Sequence, residues 1–400
     1  MLTTQIHSKA LDKTLTIGRI IGHLKGKHPG PTMIFVGGIH GNEPSGVFAL
    51  QHVLQQLAGI EICGEIYALA GNLKALARSE RYQSEDLNRL WTTDNLNKLK
   101  KGQLAITHDD FEEQLALYHC LHDILETGPV PFYFIDLHST SGPTKPFMTV
   151  NDSLLNRYYS QQFPVPMILG IEEYLDGPLL SYINELGYVA FGFEGGQHDD
   201  RQAIENHIDF VWLALVFSGC IFKDAIPFQT HYDRLYQRAG RCREIHEIVY
   251  RHAIEAGQSF VMLPGFTNFE PISKGKVLAQ TDTGSCRAPR SGKIFMPLYQ
   301  NQGNDGFFII KRIHPFFLRF SAWLRKSKWG TILRKLPGVQ AVDGQGTLAV
   351  NLKTARFLAK DIFHLLGYRS KQKGHTHLII KNREKASKTD SYIGAPWYNA

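Results

Sequence analysis

Three observations predict an α/β fold, a mixed and mainly parallel sheet with flanking helices, followed by a smaller C-terminal β domain and a helical basic extension. From about residue 30 to residue 220, short apolar runs alternate with stretches of helical periodicity, the pattern of strands joined by crossover helices. Beyond residue 260 the chain turns glycine-rich with β character, in "MLPGFTNFEPISKGKVLAQTDTGSCRAPRSGKIFMPLYQNQGNDGFFII". From residue 315 helical spacing returns with an excess of positive charge. These shifts divide the chain into residues 1–225, 260–314 and 315–400.

The first unit opens with "TMIFVGG" (32–38), an apolar run closed by two glycines, hence a strand and a tight turn. "PSGVFALQHVLQQLA" (44–58) follows as a helix, and "EIYALAG" (65–71) as the next strand. In "DFEEQLALYHCLHDIL" (110–125), Phe111, Leu115, Tyr118, Leu121 and Leu125 make one helical face. "FYFIDLH" (132–138), "VPMILG" (165–170) and "YVAFGFEGG" (188–196) complete the strands. "YQRAGRCREIHEIVYRHAIEAG" (236–257) reads as a helix leading into the second unit, and the last 30 residues read as a polar tail.

Composition limits the class. Of 400 residues, 43% are apolar and 20% charged, which suits a folded globular chain rather than a disordered one. No run of 18 apolar residues and no signal-peptide core is present, so a cytoplasmic protein is expected. Cys63, Cys120, Cys220, Cys242 and Cys286 are scattered and show no paired spacing, as reduced packing thiols would. The formal charge of +7 is concentrated late: residues 311–335 carry Lys311, Arg312, Arg319, Arg325, Lys326, Lys328, Arg334 and Lys335 and no acid.

Chemistry is concentrated at three strand ends. "FVGGIHGNEPSG" sets His40 and Glu43 three apart among glycines after the first strand; "FIDLHSTSG" ends a second strand at His138; "FGFEGG" ends a third at Glu194. Each stretch by itself is also an ordinary turn with solvent-facing polar residues. In open α/β sheets, however, the carboxyl edge is where ligands bind, and this set brings two imidazoles and two carboxylates to one rim. Two histidines and a glutamate can hold zinc with one position open for water, and a carboxylate outside the coordination sphere can serve as base. His40, Glu43 and His138 are therefore expected as metal ligands and Glu194 as the catalytic base. Asp136 shares the strand face of His138 and is either its orienting partner or a helix cap.

In "GNLKALARSERYQSEDLNRLW" (71–91), Arg81, Asn88 and Arg89 offer donors for a substrate carboxylate, or Arg81 for a developing oxyanion; ordinary surface ion pairs are the bland alternative. "GGQHDD" offers His198, Asp199 and Asp200 as a lesser cluster, and His375 and His377 have no acid at useful spacing.

Taken in order, "GGIHGNEPSG", "RYQSEDLNRLW", "FIDLHST" and "FEGG" resemble the succinylglutamate desuccinylase and aspartoacylase family, a branch of the zinc carboxypeptidase-like hydrolases, over roughly residues 30 to 200. The resemblance implies zinc on His40, Glu43 and His138, Glu194 as the catalytic glutamate, and substrate contacts from Arg81, Asn88 and Arg89. It further implies that the β stretch after residue 260 covers the substrate channel, with Tyr299 as the candidate for a C-terminal substrate-binding tyrosine. The expected activity is hydrolysis of the amide bond of a small N-acylated amino acid or related carboxylate. The alternatives are a metallocarboxypeptidase acting on peptide C-termini and a non-catalytic binding protein on the same fold.

One stretch lies outside this pattern. In "HPFFLRFSAWLRKSKWGTILRKL" (314–336), Phe316, Phe317, Phe320, Trp323 and Leu324 share a helical face, with Arg319, Arg325, Lys326 and Lys328 around it. Packing on the chain itself or on another protomer of a homo-oligomer is the commoner use of such a face. Lying on an anionic membrane surface is the rarer one. No nucleic-acid motif accompanies the charge, and no nucleic-acid partner is expected.

Overall fold

A computed structural model of the protein describes residues 3–327, 337–342, 346–351, 365–373 and 377–398. Its backbone is an eleven-stranded sheet. In order across the sheet run Pro271–Ile272, Gly292–Phe295, Asp305–Arg312, Ile245–Ala253, Met167–Leu169, Phe147–Val150, Val189–Gln197, Phe132–Thr140, His28–Gly37, Cys63–Ala70 and Ile20–Lys25. The four strands from Val189–Gln197 to Cys63–Ala70 pair in parallel, whereas both ends of the sheet are antiparallel. The sheet is thus mixed, with one parallel run where the predicted site residues lie and a second through Phe147–Val150, Met167–Leu169 and Ile245–Ala253.

Strand geometry explains the two cores. Successive side chains point to opposite faces, so Met33, Phe35, Tyr133, Ile135 and Leu137 enter one apolar layer while Ile34, Val36, Phe132 and Phe134 enter the other. Helices Ser45–Gln56 and Arg201–Ser218 supply Leu50, Val53, Phe210 and Trp212 to the first layer. Helices Asp109–Thr127 and Leu179–Glu185 supply Leu117, Leu121 and Ile183 to the second. A parallel sheet covered on both faces reads as nearly continuous apolar runs, and that is why those strands were legible.

One expectation fails. The predicted helix over 236–257 is instead the end of helix Phe228–Arg238 followed by strand Ile245–Ala253. Gly240 and Arg241 adopt positive φ and stop the helix, and the strand pairs between Met167–Leu169 and Asp305–Arg312, with β-branched Ile245 opposite Met167 and Ile248 opposite Ile310. The stretch 260–314 contributes strands to the main sheet as well as a separate three-stranded sheet of Phe260–Met262, Val277–Thr281 and Gly284–Arg287.

The extension after residue 315 is not simply helical. Helix Pro315–Lys326 is followed by a four-stranded antiparallel sheet of Val339–Ala341, Thr347–Asn351, His377–Asn382 and Tyr368–Lys373. Nor is the end a polar tail: Tyr392 and Trp397 are buried against Tyr133 and Tyr159. The Tyr392 hydroxyl accepts the Val189 N–H at 2.9 Å and donates to the Phe132 carbonyl, bridging the starts of two central strands. Tyr392→Phe leaves both backbone groups without that partner in a dry site and is expected to cost about 1–3 kcal/mol. A urea midpoint equal to that of the unaltered protein would show that the bridge carries no net stability.

Candidate functional site

The parallel register brings the three strand ends together. Gly37 lies opposite Leu137, and His138 lies opposite Glu194. After Gly37 the chain turns at once: Gly38 has φ +70°, and the Glu43 N–H donates to the His40 carbonyl at 3.1 Å. Gly41 is required by close approach, since a Cβ there would lie 2.0 Å from the carbonyl carbon of Ala75. The loop is thereby pressed against helix Leu73–Arg78 and aims His40 and Glu43 back over the sheet edge.

His40, Glu43 and His138 are 4%, 2% and 7% exposed, and each offers a ligand atom within 4.8 Å of the other two. Nδ1 of His40 is 2.9 Å from Oε1 of Glu43, Nδ1 of His138 is 3.0 Å from Oε2, and the two rings lie 5.1 Å apart between centroids. The outer nitrogens are also held: Nε2 of His40 is 3.1 Å from Asp86, and Nε2 of His138 is 2.8 Å from Asp136. A carboxylate behind each imidazole fixes its tautomer and orientation.

This arrangement fits a divalent cation. Once each Nε2–H is given to an aspartate, a neutral ring turns its Nδ1 lone pair toward a carboxylate oxygen of Glu43, which is repulsive. Only added positive charge relieves this, either protons on the rings or one ion between them. Burial opposes ionisation of Glu43, yet His40 and His138 hold its carboxyl well below the usual range. Burial likewise disfavours charge on His138, but Asp136 and Glu43 push it well above the ordinary histidine value. A metal would take the place of those protons.

Glu194 stands beside this group without belonging to it. It is buried, and its Oε2 has no hydrogen-bond partner. Burial pushes its carboxyl up to about 8; His138 opposes the shift, and Glu43 and Asp136 add to it. Behind the strand, Nε2 of His207 lies 3.0 Å from the His138 carbonyl, and burial first, then His138, lowers this imidazole to about 3, so it donates as a neutral ring. Gly195 makes room for it: a Cβ there would lie 2.5 Å from that nitrogen.

Arg81, Asn88 and Arg89 line the same cavity of about 330 Å³ as His40, Glu43, His138 and Glu194, so all seven predicted residues meet in one place. Arg81 is 3.4 Å from Glu43 and 3.1 Å from Asp86. The Asn88 amide oxygen accepts the Leu179 N–H at 2.9 Å, and Arg89 is 3.6 Å from Asp305. From the stretch after residue 260, Gln300 lines the cavity and contacts Asn42 at 2.9 Å, and Gln302 accepts the Arg81 N–H at 3.1 Å.

Other candidates separate. The Tyr299 hydroxyl is consumed by backbone, donating to the Leu263 carbonyl at 2.9 Å and accepting the Phe266 N–H at 3.0 Å; it is a strut of the β segment, not a cavity residue. His198 does reach the cavity, 2.8 Å from the Ser139 hydroxyl, but Asp199 pairs with Lys9 and Asp200 caps helix Arg201–Ser218. His375 lies outside the described residues.

Four contributors escaped sequence reasoning. Asp86, which "SEDLNR" places between Arg81 and Asn88, stands behind the His40 ring. Asp110, buried at the start of its helix, accepts the N–H groups of Ser84 at 2.7 Å and Glu85 at 3.0 Å, and so shapes the loop that carries Arg81 and Asp86. Arg251 and Asp305 enter the cavity from adjacent antiparallel strands and pair with each other. No local spacing announces these; they meet only through long-range pairing.

Comparison with known proteins gives a consistent picture. Residues 29–201 match the model of the succinylglutamate desuccinylase/aspartoacylase catalytic domain. A probable aspartoacylase from Parasynechococcus marenigrum is 25% identical over 332 residues, covering 76% of this chain and 98% of that protein. Succinylglutamate desuccinylase from Vibrio parahaemolyticus aligns with a TM-score of 0.54 at 12% identity, over 78% of this chain and 92% of the other. The product-bound ectoine utilization protein EutE from Ruegeria pomeroyi aligns at 0.52 and 16%, over 78% and 94%. At these identities the two structures speak for the fold alone.

Proposed function

We propose, from the premise that residues 29–201 belong to the succinylglutamate desuccinylase/aspartoacylase family, that the protein is a zinc-dependent deacylase that hydrolyses the amide bond of a small N-acylated amino acid or related carboxylate. The observation that carries this reading is the buried His40, Glu43 and His138 group with an unpartnered carboxylate oxygen of Glu194 in the same cavity.

His40, Glu43 and His138 would hold the ion, with Asp86 and Asp136 fixing the two rings. When bound, zinc supplies Lewis acidity toward the acyl oxygen and makes water a nucleophile near neutral pH. Glu194 accepts the proton of the attacking water and returns it to the departing amine. Arg81, tied to Asp86, faces the oxygen on which negative charge develops. Asn88 and Arg89 hold the carboxylate of the substrate.

Metal analysis of the purified protein and a hydrolysis screen test this directly. One zinc per chain and turnover of N-acyl amino acids are expected. Cleavage confined to peptide C-termini would give the site to a carboxypeptidase, and no turnover by metal-loaded protein would end the reading.

Arg251 and Arg89 both pair with Asp305, so two guanidiniums share one carboxylate in the cavity wall. Arg251→Gln is expected to raise KM roughly tenfold with little change in kcat, as loss of a ground-state carboxylate contact does. Steady-state kinetics showing a fall in kcat at constant KM would remove Arg251 from substrate binding.

A further inference from the structure

Helix Pro315–Lys326 packs with its polar side inward. Ser321 is buried and donates to the Leu365 carbonyl at 2.8 Å; the Arg325 side chain is fully buried, 2.7 Å from Asp152 and 3.0 Å from Glu384; Leu318 packs partly against the core. The spacing of 318, 321 and 325 makes this one face of the helix. Arg325, counted in the sequence as surface charge, is therefore part of a buried ion cluster.

The aromatic face is left outward. Phe316, Phe317, Phe320 and Trp323 are 61%, 51%, 39% and 58% exposed. Their rings form a row: Phe316 stacks on Phe320 at 6.0 Å between centroids, and Phe320 stacks on Trp323 at 5.9 Å. The expectation that this face packs on the chain itself is not met among the described residues. Exposed large aromatics in a contiguous row mark an interaction surface rather than scattered surface apolars.

Charge indicates what covers it. Lys311, Arg312, Arg319 and Lys326 are exposed around the row, and no Asp or Glu occurs between residues 306 and 342. Arg312 reaches Glu244 at 3.1 Å, and the Lys326 ammonium sits 5.4 Å from the centre of the Tyr158 ring. A two-fold pairing of this face with a second copy would set these cations against themselves. A single convex helix with aromatics outward and cations at its flanks instead matches the chemistry of an anionic lipid surface, with rings at the acyl boundary and ammonium and guanidinium groups among the headgroups. We propose that this helix attaches the protein peripherally to anionic bilayers. No helix among the described residues is long and apolar enough to cross a membrane.

Sedimentation of the full chain with vesicles tests the proposal. Recovery is expected with vesicles of equal parts phosphatidylcholine and phosphatidylglycerol and to be at least tenfold lower with phosphatidylcholine alone. Arg319→Glu should weaken partitioning at least fivefold, from about 1 kcal/mol per basic residue near the surface. The double variant Phe316→Ser, Trp323→Ser should abolish it. Both variants alter exposed side chains and should unfold at the unaltered temperature, which separates lost binding from lost folding. Equal recovery on the two vesicle types, undiminished recovery of both variants, or no recovery on anionic vesicles overturns the proposal. In the last case, a dimer in light scattering that the double variant dissociates would give the face to a second copy.

Discussion

Glu194→Gln is expected to keep the metal and to lower turnover roughly a thousandfold, the middle of the range for loss of a positioned general base. The substitution is nearly isosteric, and Glu194 is not among the three residues whose ligand atoms converge within 4.8 Å. Metal content should therefore match that of the unaltered protein. An amide cannot accept the proton of the attacking water, so the loss should fall on kcat, with KM little changed. Stability should hold or rise, because the substitution removes a buried ionisable group whose Oε2 has no partner. Glu43→Gln provides the contrast: its oxygens face both histidines, and its replacement should release the metal along with the activity. Wild-type turnover by metal-loaded Glu194→Gln would sink the assignment of the base. Loss of metal from that variant would instead move Glu194 into the ligand set.

Asp152→Ala is expected to be the most destabilising change outside the site. Asp152 accepts from Arg157 at 2.9 Å, Arg325 at 2.7 Å and Arg383 at 3.4 Å, and Arg383 continues to Glu172 at 3.0 Å. These residues come from helix Leu154–Ser160, helix Pro315–Lys326 and the end of the C-terminal sheet, so the cluster fastens the extension to the core. Removing the shared carboxylate leaves buried guanidiniums short of countercharge, at a cost of about 3–5 kcal/mol. The double variant with Arg325→Met should be less harmful than the sum of the single changes, because it removes one of the stranded cations. A urea midpoint for Asp152→Ala within error of the parent would mean that the cluster does not join the two parts.

The same carboxylate sets an acid dependence. Burial disfavours the charged form, but Arg157, Arg325 and Arg383 hold the Asp152 carboxyl well below the usual range. A depressed folded-state value means that the unfolded chain takes up its proton first. This contribution is present in full above about pH 4, the ordinary aspartate value, and is lost as pH falls below it. Asp152→Asn should accordingly flatten the fall in stability between about pH 4 and pH 2, measured by urea unfolding at each pH.

Much of the site was legible because its chemistry is local in each segment. His40 and Glu43 share one loop, His138 and Glu194 end apolar strands, and a fully buried parallel strand announces itself as an apolar run. Strand Ile245–Ala253 shows the limit: its pattern suits a helix as well, and pairing with Met167–Leu169 and Asp305–Arg312 decides it. Tyr299 failed for a similar reason, since a hydroxyl's partner 33 residues away is invisible from its neighbours.

The amino-acid sequence alone determined the α/β class of the first 220 residues and the candidate side chains that gather on one rim, because side-chain chemistry and strand periodicity are carried by short segments. Only the tertiary structure decided that Asp86 and Asp136 stand behind the two imidazoles, that Arg251 and Asp305 close the cavity, and that Arg325 points inward while its aromatic neighbours face out. Those outcomes depend on which distant segments become neighbours, and that is settled by packing and desolvation over the whole chain.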